Sequence, residues 1–360
     1  MTKNVVKLIE KKEWVKRWAG SFTFISASYW GKQYKTSLER ELGVGFDHSL
    51  FVHNKGTISF YLIKRELDKL GNTLAKRATK DNKIAIAWCQ ELKRNTDVIT
   101  KIMKKLHGTI PSCAEYQKFL VAFDRHISFH NAIKKPIDYF SATILSKLLP
   151  YFKDARLYSE HVYSDTESFF RGVMKKIGKK EKYNSDYLTC LTQSEFEIYL
   201  QTNKLPKEKI LQTRFESSVL YFENAKEIIA TGKQTKNFEK IIFRKSIQGK
   251  REIKGVSAYS GTAIGIARIV PDPHKVGTFS KGDILITGMT RPEFLPIMNK
   301  ASAVVTDAGG ILCHAAISAR ELKIPCIVGT QLASFIFHDG DKIRVDADSG
   351  IIKIIKKYGC

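Results

Sequence analysis

Hydrophobic residues follow two different patterns along the chain, and the change between them divides it into two regions. Through the first two thirds, apolar residues recur at helical spacing, over Lys64 to about Leu106, Ala114 to Ile133 and 136 to 178. From Gly255 onward, short apolar runs alternate with closely spaced glycines, which is typical of strands and turns. The pattern predicts the α+β class: a mostly helical N-terminal region with a small β element, then a compact β-rich domain.

Near the N terminus the pattern predicts four local elements. Residues 3–18 have apolar side chains near helical spacing and predict an amphipathic opening helix, and Ser21 to Tyr29 predicts a strand or a pocket wall. The apolar runs on either side of Asn54-Lys55-Gly56 predict a hairpin. The segment Tyr187 to Phe196 predicts a short strand followed by a helix with a Thr192–Glu195 capping box.

The stretch Thr306 to Thr330 predicts a strand, a turn, a helix and a second strand. Ala301 to Val305 is a short apolar run, and Gly309-Gly310 supplies a flexible turn. Ala315 to Leu322 is rich in helix formers, and Ile324-Pro325 ends that helix before the apolar run Cys326 to Val328. His314 is therefore predicted to lie at the start of a helix. Lys342 to Val345 and Ile351 to Ile355 predict the last two strands.

The predicted position of His314 has chemical consequences. Free N–H groups and the positive dipole end of a helix attract anions, so a phosphoryl group would be stabilised there. The same field lowers the pKa of an imidazole, and we expect His314 to be largely neutral and nucleophilic at about pH 7. The small residues Ala315 and Ala316 leave room for a phosphate, and Gly309 and Gly310 permit its close approach. The alternative for this motif alone is a helix-capping or buried histidine behind a diglycine turn.

The residues on both sides make the motif more specific. Gly261-Thr262-Ala263-Ile264-Gly265, Gly282-Asp283-Ile284-Leu285, Thr290 to Pro296, the Thr306–Thr330 stretch and Asp339-Gly340-Asp341 to Gly350 occur in this order. Together they resemble the phosphohistidine, or swivelling, domain of the phosphoenolpyruvate-utilising enzymes, which include phosphoenolpyruvate synthase, pyruvate phosphate dikinase and rifampicin phosphotransferase. The resemblance implies a C-terminal β/β/α swivelling phosphohistidine domain.

The resemblance also implies site residues. His314 matches the phosphorylated histidine of the family motif, and we predict that Gly309, Gly310, Cys313, Ala315 and Thr306 surround the phosphate. Two positions depart from the family pattern. Leu312 stands where synthases and dikinases usually have a threonine used for regulatory phosphorylation, so that control is not expected. Arg291 replaces an acidic residue and is a candidate phosphate contact, or a solvent-facing loop residue.

The charge of the chain is unevenly distributed. The chain has 60 basic and 36 acidic residues, and residues 255–360 contain 12 of the basic and 9 of the acidic ones. Residues 255–360 therefore have a net charge of +3, and residues 1–254 have a net charge of +21. A basic region attracts nucleic acid, acidic proteins or nucleotides, but the lysines are spread along helices without a nucleic-acid motif. Solvated helix faces are the favoured interpretation.

The predicted helix Ala114 to Ile133 carries an aromatic face with His126 and His130 four residues apart. Such a face is typical of a core, and the functional alternative is a pocket wall in which both histidines contact an organic acceptor. No His-Glu-x-x-His arrangement is present, and the six cysteines form no Cys-x-x-Cys pair, so no metal site is predicted. With no apolar run of membrane-spanning length and no signal peptide, we predict a cytoplasmic protein.

These observations predict a phosphotransferase, or a phosphotransferase subunit, in which His314 carries a phosphoryl group to a small-molecule acceptor. The boundaries are placed at 1–248 for a mainly helical acceptor- and partner-binding region, 249–254 for a hinge and 255–360 for the phosphohistidine domain. The resemblance implies ATP or phosphoenolpyruvate as donor, with Mg²⁺. Because no ATP-grasp domain is recognised, we expect a separate ATP-grasp subunit to bind the nucleotide. The alternatives are a non-catalytic phosphocarrier or regulatory module, and a basic nucleic-acid-binding protein with an inert swivelling domain.

Overall fold

The computed structural model describes residues 9, 12–232, 235–236, 238–274, 276–311 and 313–359. Packing divides the chain into two compact units, and each contains segments that are distant in sequence. The first comprises Met1–Trp14, Phe22–Gly56 and Leu62–Lys236, and the second comprises Val15–Ser21, Thr57–Tyr61 and Asn237–Cys360. The predicted boundaries at 248 and 254 stay predictions, and Glu252–Lys254, within the predicted hinge, forms a strand that pairs with Ile351–Lys353.

The first unit is mainly helical, as predicted. Its helices are stabilised by local signals: Ser112 and Glu115 form a capping box at the start of the predicted aromatic helix, and Thr192 and Glu195 form the predicted one. None of the described helices is long and apolar enough to cross a membrane. The helices are α1 (Phe24–Leu42), α2 (Lys64–Lys80), α3 (Asn82–Leu106), α4 (Cys113–Lys134), α5 (Ala142–Ser159), α6 (His161–Glu181), α7 (Ser185–Leu188), α8 (Gln193–Thr202) and α9 (Glu208–Glu216).

Three local predictions for this region are wrong. Trp14–Gly20 is strand β1 and not the end of an opening helix, because the spacing of four between Trp14 and Trp18 also fits the two-residue period of a strand. Residues 1–8, 10 and 11, where that helix was predicted to begin, lie outside the described residues. Ser21 to Tyr29 enters helix α1, which the side chain of Thr23 caps, so the strand alternative is wrong and the pocket-wall alternative stays a prediction. Helix α7 replaces a predicted strand, since Asn184 caps it.

The small β element is present. Strands β2 (His48–Asn54) and β3 (Thr57–Ile63) flank the predicted turn, in which Gly56 adopts a φ of 86°. In the first unit, β2 pairs antiparallel with β4 (Ser218–Glu223), which pairs antiparallel with β5 (Lys226–Thr231). Buried residues occupy most of β2 and β4, as expected for strands covered on both faces.

The second unit contains an eight-stranded sheet with a parallel centre. Strands β8 (Thr262–Ile269), β9 (Ile284–Thr287), β10 (Ala303–Thr306) and β11 (Cys326–Val328) are parallel neighbours, and antiparallel strands continue the sheet on both sides. This arrangement confirms the predicted fold class. The strands are β6 (Glu252–Lys254), β7 (Val256–Tyr259), β8 (Thr262–Ile269), β9 (Ile284–Thr287), β10 (Ala303–Thr306), β11 (Cys326–Val328), β12 (Lys342–Asp346) and β13 (Ile351–Lys356).

The helices of the second unit are short, and one of them covers a face of the parallel centre. Helix α13 (His314–Leu322) follows β10 and packs Ala315, Ala316 and Ala319 into a core with Leu285, Val304 and Val328. The small side chains let this helix approach the strands closely. The other helices are α10 (Phe238–Ile242), α11 (Arg244–Ile247), α12 (Leu295–Met298) and α14 (Ala333–Ile336).

Candidate active site

His314 is the first residue of α13 and so lies at the start of a helix, where the sequence placed it. Cys313 is the N-cap, with a φ of −76° and a ψ of 164°, and its side chain makes no capping hydrogen bond. The helix ends where predicted, because Lys323 adopts a left-handed conformation ahead of Ile324-Pro325. The imidazole of His314 is half-buried and lies where the helix presents its free N–H groups.

The turn before the helix requires a glycine. Gly309 has a φ of 120°, and a Cβ added there would lie 2.8 Å from the Sγ atom of Cys313. A Cβ added to Gly310 would meet open space, and the Gly310 carbonyl accepts a hydrogen bond of 2.9 Å from Cys313 N. The turn therefore brings bare backbone close to the start of α13.

The two ring nitrogens of His314 have different neighbours. Thr290 Oγ1 lies 2.9 Å from Nδ1, and Ser318 Oγ lies 3.4 Å from Nε2. Thr290 is 2% exposed, so its hydroxyl is a fixed and dry partner for Nδ1. The contact at Nε2 is the longer of these two. A neutral ring that donates Nδ1–H to Thr290 carries its lone pair on Nε2.

Sequence reasoning missed both hydroxyl partners. Thr290 was noted only as part of a matching segment, and it lies 24 residues before His314. Ser318 was detectable, because residues four apart share one face of a helix. A polar residue at that spacing from a candidate nucleophile is therefore worth testing as a ring partner.

The other predicted phosphate-binding residues lie on three different segments: the end of β10, the start of α13 and the loop that carries Thr290. Thr306 is fully buried at the end of β10, and its hydroxyl donates to the carbonyl of Ala308 at 2.7 Å. Ala315 packs in the core and contributes only its backbone to the helix start. Arg291 follows Thr290 directly and precedes the 3₁₀ turn Pro292–Phe294. Their phosphate contacts stay predictions, and Leu312 lies outside the described residues.

The predicted acceptor contacts His126 and His130 lie on α4 in the first unit. Their rings are 6.1 Å apart and nearly parallel, and both face Tyr163, at 5.5 and 5.0 Å. Burial lowers the pKa of His126 to about 3, and burial also holds the pKa of His130 well below its usual value. Both rings are therefore neutral near neutral pH. Their role toward an acceptor stays a prediction.

The one aspartate of the Thr306–Thr330 stretch makes structural contacts. Asp307 is fully buried, and its oxygens accept from Ser334 N at 3.0 Å, from the Ser334 hydroxyl and from Thr330 Oγ1 at 3.4 Å. No group of three or more His, Cys, Asp or Glu side chains is placed to hold a metal ion among the residues that the structure describes. Asp307 is therefore unavailable to the Mg²⁺ that the resemblance implies.

Comparison with known proteins connects this geometry to a family. Residues 279–350 match the family model described as "PEP-utilising enzyme, mobile domain", and this segment contains the Thr290–His314 pair, the turn and α13. The resemblance to the mobile domain of the PEP-utilising enzymes is confirmed. The matched segment contains every predicted site residue except His126 and His130.

Relatives of the mobile domain are much longer than this chain. A probable phosphoenolpyruvate synthase of Archaeoglobus fulgidus is 35% identical over 146 residues, which cover 41% of this chain and 19% of that protein. An uncharacterized phosphotransferase of Bacillus subtilis, YvkC, is 42% identical over 108 residues, which cover 30% of this chain and 13% of that protein. The chain therefore spans less than a fifth of the length of these relatives.

Similarity to solved structures is low on the scale of the whole chain. An aconitase X crystal structure from Thermococcus kodakaraensis covers 30% of this chain and 100% of that chain, with 20% identity and a TM-score of 0.24. An NMR structure of Enzyme I covers 76% of this chain and 79% of that chain, with 14% identity and a TM-score of 0.22. Neither score is high enough to establish a shared fold.

Proposed function

We propose that His314 accepts a phosphoryl group on Nε2 and passes it to an acceptor, which makes the chain a phosphotransferase or a phosphotransferase subunit. The contact between Thr290 Oγ1 and His314 Nδ1 is the observation that carries this proposal. We assign Thr290 as the acceptor of the Nδ1 proton, which leaves the lone pair on Nε2. The half-buried His314 is at a helix start that favours negative charge.

Each transfer is written as an in-line displacement. The Nε2 lone pair forms a bond to phosphorus while the bond from phosphorus to the donor oxygen breaks, and its electron pair leaves on that oxygen. The ring becomes positively charged, and its Nδ1–H remains bonded to Thr290 Oγ1. In the second transfer an acceptor oxygen attacks phosphorus and the N–P bond electrons return to Nε2. The acceptor proton leaves with a base of the acceptor site or solvent.

Our proposal for the donor rests on the family resemblance, and our proposal for the acceptor rests on the composition of the helical region. We propose ATP with Mg²⁺, or phosphoenolpyruvate, as the donor, and a separate ATP-grasp subunit as the protein that binds the nucleotide. We further propose that residues 1–250 select a small-molecule acceptor, because this region carries almost all of the excess positive charge and the aromatic helices. The cytoplasmic location expected from the sequence stays a prediction.

The direct test is chemical phosphorylation with potassium phosphoramidate, a small donor that needs no partner. The wild-type protein should gain an acid-labile, alkali-stable phosphoryl group on His314 faster than on its exposed histidines, and His314→Ala should lose this fast gain while keeping its fold. His338→Ala is a matched control, because His338 is an exposed histidine of the same unit. Equal labelling of His314→Ala and the wild type, or labelling of a hydroxyl side chain, would overturn the proposal.

A further inference from the structure

A lysine of strand β1 is buried in the same compact unit as His314. Lys16 is 5% exposed, and its Nζ atom lies 3.1 Å from Oδ2 of the fully buried Asp307. The ammonium group also lies 5.1 Å from the centre of the Phe335 ring. The backbone N–H of Lys16 donates to Gln331 Oε1 at 2.7 Å. A buried lysine with these partners is a fixed structural element and not a solvated surface charge.

Asp307, the partner of Lys16, connects two loops. One leads to His314, and the other carries Thr290, whose hydroxyl contacts the His314 ring. The backbone N–H of Asp307 donates to Thr287 O at 3.0 Å, and the next N–H, of Ala308, donates to Gly288 O at 2.9 Å. Asp307 precedes His314 by seven residues, and Gly288 precedes Thr290 by two. A displacement at Asp307 therefore reaches both sides of the contact between Thr290 and Nδ1.

A second contact from β1 reaches the Thr290 loop independently. A Cβ added to Gly288 would lie 2.8 Å from the Cβ of Ala19 and 3.8 Å from Cε and Nζ of Lys16. No room for a side chain therefore exists between β1 and this loop. Strand β1 therefore holds the Asp307 loop through an ion pair and the Thr290 loop through the close approach of Ala19 to Gly288.

The charges around Lys16 keep its ammonium group protonated. Burial lowers the pKa of Lys16, but Asp307 and Glu239 act in the opposite direction, and the pKa is raised overall. Without the ammonium group, Asp307 would be a buried carboxylate that lacks its counter-charge, and such a group either takes up a proton or moves toward water. Either response changes the loop that holds Asp307.

We propose that Lys16 is a positioning residue for His314: through Asp307 and Gly288 it fixes the two loops that set the Thr290–Nδ1 contact. The inference rests on the proposed function of His314 and deepens it, because a residue 298 positions earlier in the chain becomes part of the phosphorylation site. It also means that strand β1 must be kept in any functional form of this domain.

The test compares Lys16→Met with Lys16→Arg and with Lys353→Met, an exposed lysine of β13 that serves as the matched control. Phosphoramidate labelling gives the rate, and ¹⁵N NMR of the His314 ring gives its tautomer and titration. Misplacement of a reacting group by about 1 Å reduces rates by up to roughly 100-fold, so we expect labelling of Lys16→Met to be about 10- to 100-fold slower, with altered ring signals. Lys16→Arg should lose less, and Lys353→Met should equal the wild type.

A second pair of variants keeps the test valid if Lys16→Met fails to fold. Gly288→Ala should slow labelling and shift the ring signals of His314, and Ala19→Gly in the same chain should restore both, because it removes the clashing Cβ. A folded Lys16→Met protein with wild-type rate and ring signals would overturn the inference, as would failure of Ala19→Gly to rescue Gly288→Ala. If the wild type is not labelled at all, the proposed function fails, and unchanged ring signals in Lys16→Met would separately refute the positioning role.

Discussion

Replacing Thr290 by valine is the sharpest perturbation of the site that leaves His314 itself intact. Valine keeps the branched shape and removes the hydroxyl that lies 2.9 Å from Nδ1. A hydrogen bond contributes about 0.5–1.5 kcal/mol net, and a buried polar group left without a partner costs about 1–3 kcal/mol. Because Thr290 is 2% exposed, water will not replace the hydroxyl, and the upper range applies.

This free energy converts to a rate. A cost of about 1–3 kcal/mol in the transition state corresponds to roughly 5-fold to 150-fold slower phosphorylation. Thr290→Val should also weaken the preference for Nε2, because it removes the hydroxyl that accepts the Nδ1 proton in the proposed tautomer. The assay is phosphoramidate labelling followed by ³¹P NMR, which separates the Nε2 and Nδ1 adducts. Thr290→Ser keeps the hydroxyl and should behave almost like the wild type.

Two results would refute this reasoning. One is a Thr290→Val protein that is labelled at the wild-type rate and only on Nε2. The other is a wild-type adduct on Nδ1, because the nitrogen bonded to Thr290 would then be the nucleophile. In that case the contact observed between Thr290 and the ring would oppose the reaction and not prepare it.

Three further predictions concern stability. His126 is fully buried, and neither ring nitrogen has a hydrogen-bond partner among the described residues, so His126→Leu should raise the free energy of unfolding by about 1 kcal/mol or more in urea titrations. The same variant should reduce the loss of stability in acid. Burial lowers the folded-state pKa of His53 to about 4 and that of His126 to about 3. Below about pH 6.5 the unfolded chain therefore binds more protons than the folded chain. The free energy of unfolding should fall between about pH 6.5 and about pH 4, by up to about 3 kcal/mol for His53 alone. A flat stability profile over that range would contradict this. Gly309→Ala should cost about 1–3 kcal/mol, because of its φ of 120° and the 2.8 Å approach to Cys313 Sγ, and an unchanged melting temperature would show that the turn adapts.

The elements around His314 were predictable because each has a local cause. Gly309-Gly310 marks the turn, and Ile324-Pro325 ends the helix. The predicted strand Cys326 to Val328 has the observed bounds, and the predicted helix start at Ala315 is one residue from the observed start at His314. Because such signals depend only on neighbouring residues, they can be recognised in a single sequence without knowledge of tertiary contacts.

The contacts that shape the site were not predictable from the pattern. Lys16 pairs with Asp307 across 291 residues, and its own segment was interpreted as a helix. Hydrophobic periodicity describes which face of an element is buried and not which element covers it. For the same reason, Thr290 was placed in the matching segment but not against the His314 ring, since a loop contact leaves no periodic signal.

The central claim is that His314 carries the phosphoryl group. Its most direct test is an intact-mass measurement at neutral pH on the full chain, incubated with phosphoenolpyruvate, or with ATP, Mg²⁺ and an ATP-grasp subunit. We expect a gain of one phosphoryl group that disappears in mild acid, is absent in His314→Ala and, for ATP, requires the added subunit. An acid-stable gain, or an equal gain in His314→Ala, would contradict the claim.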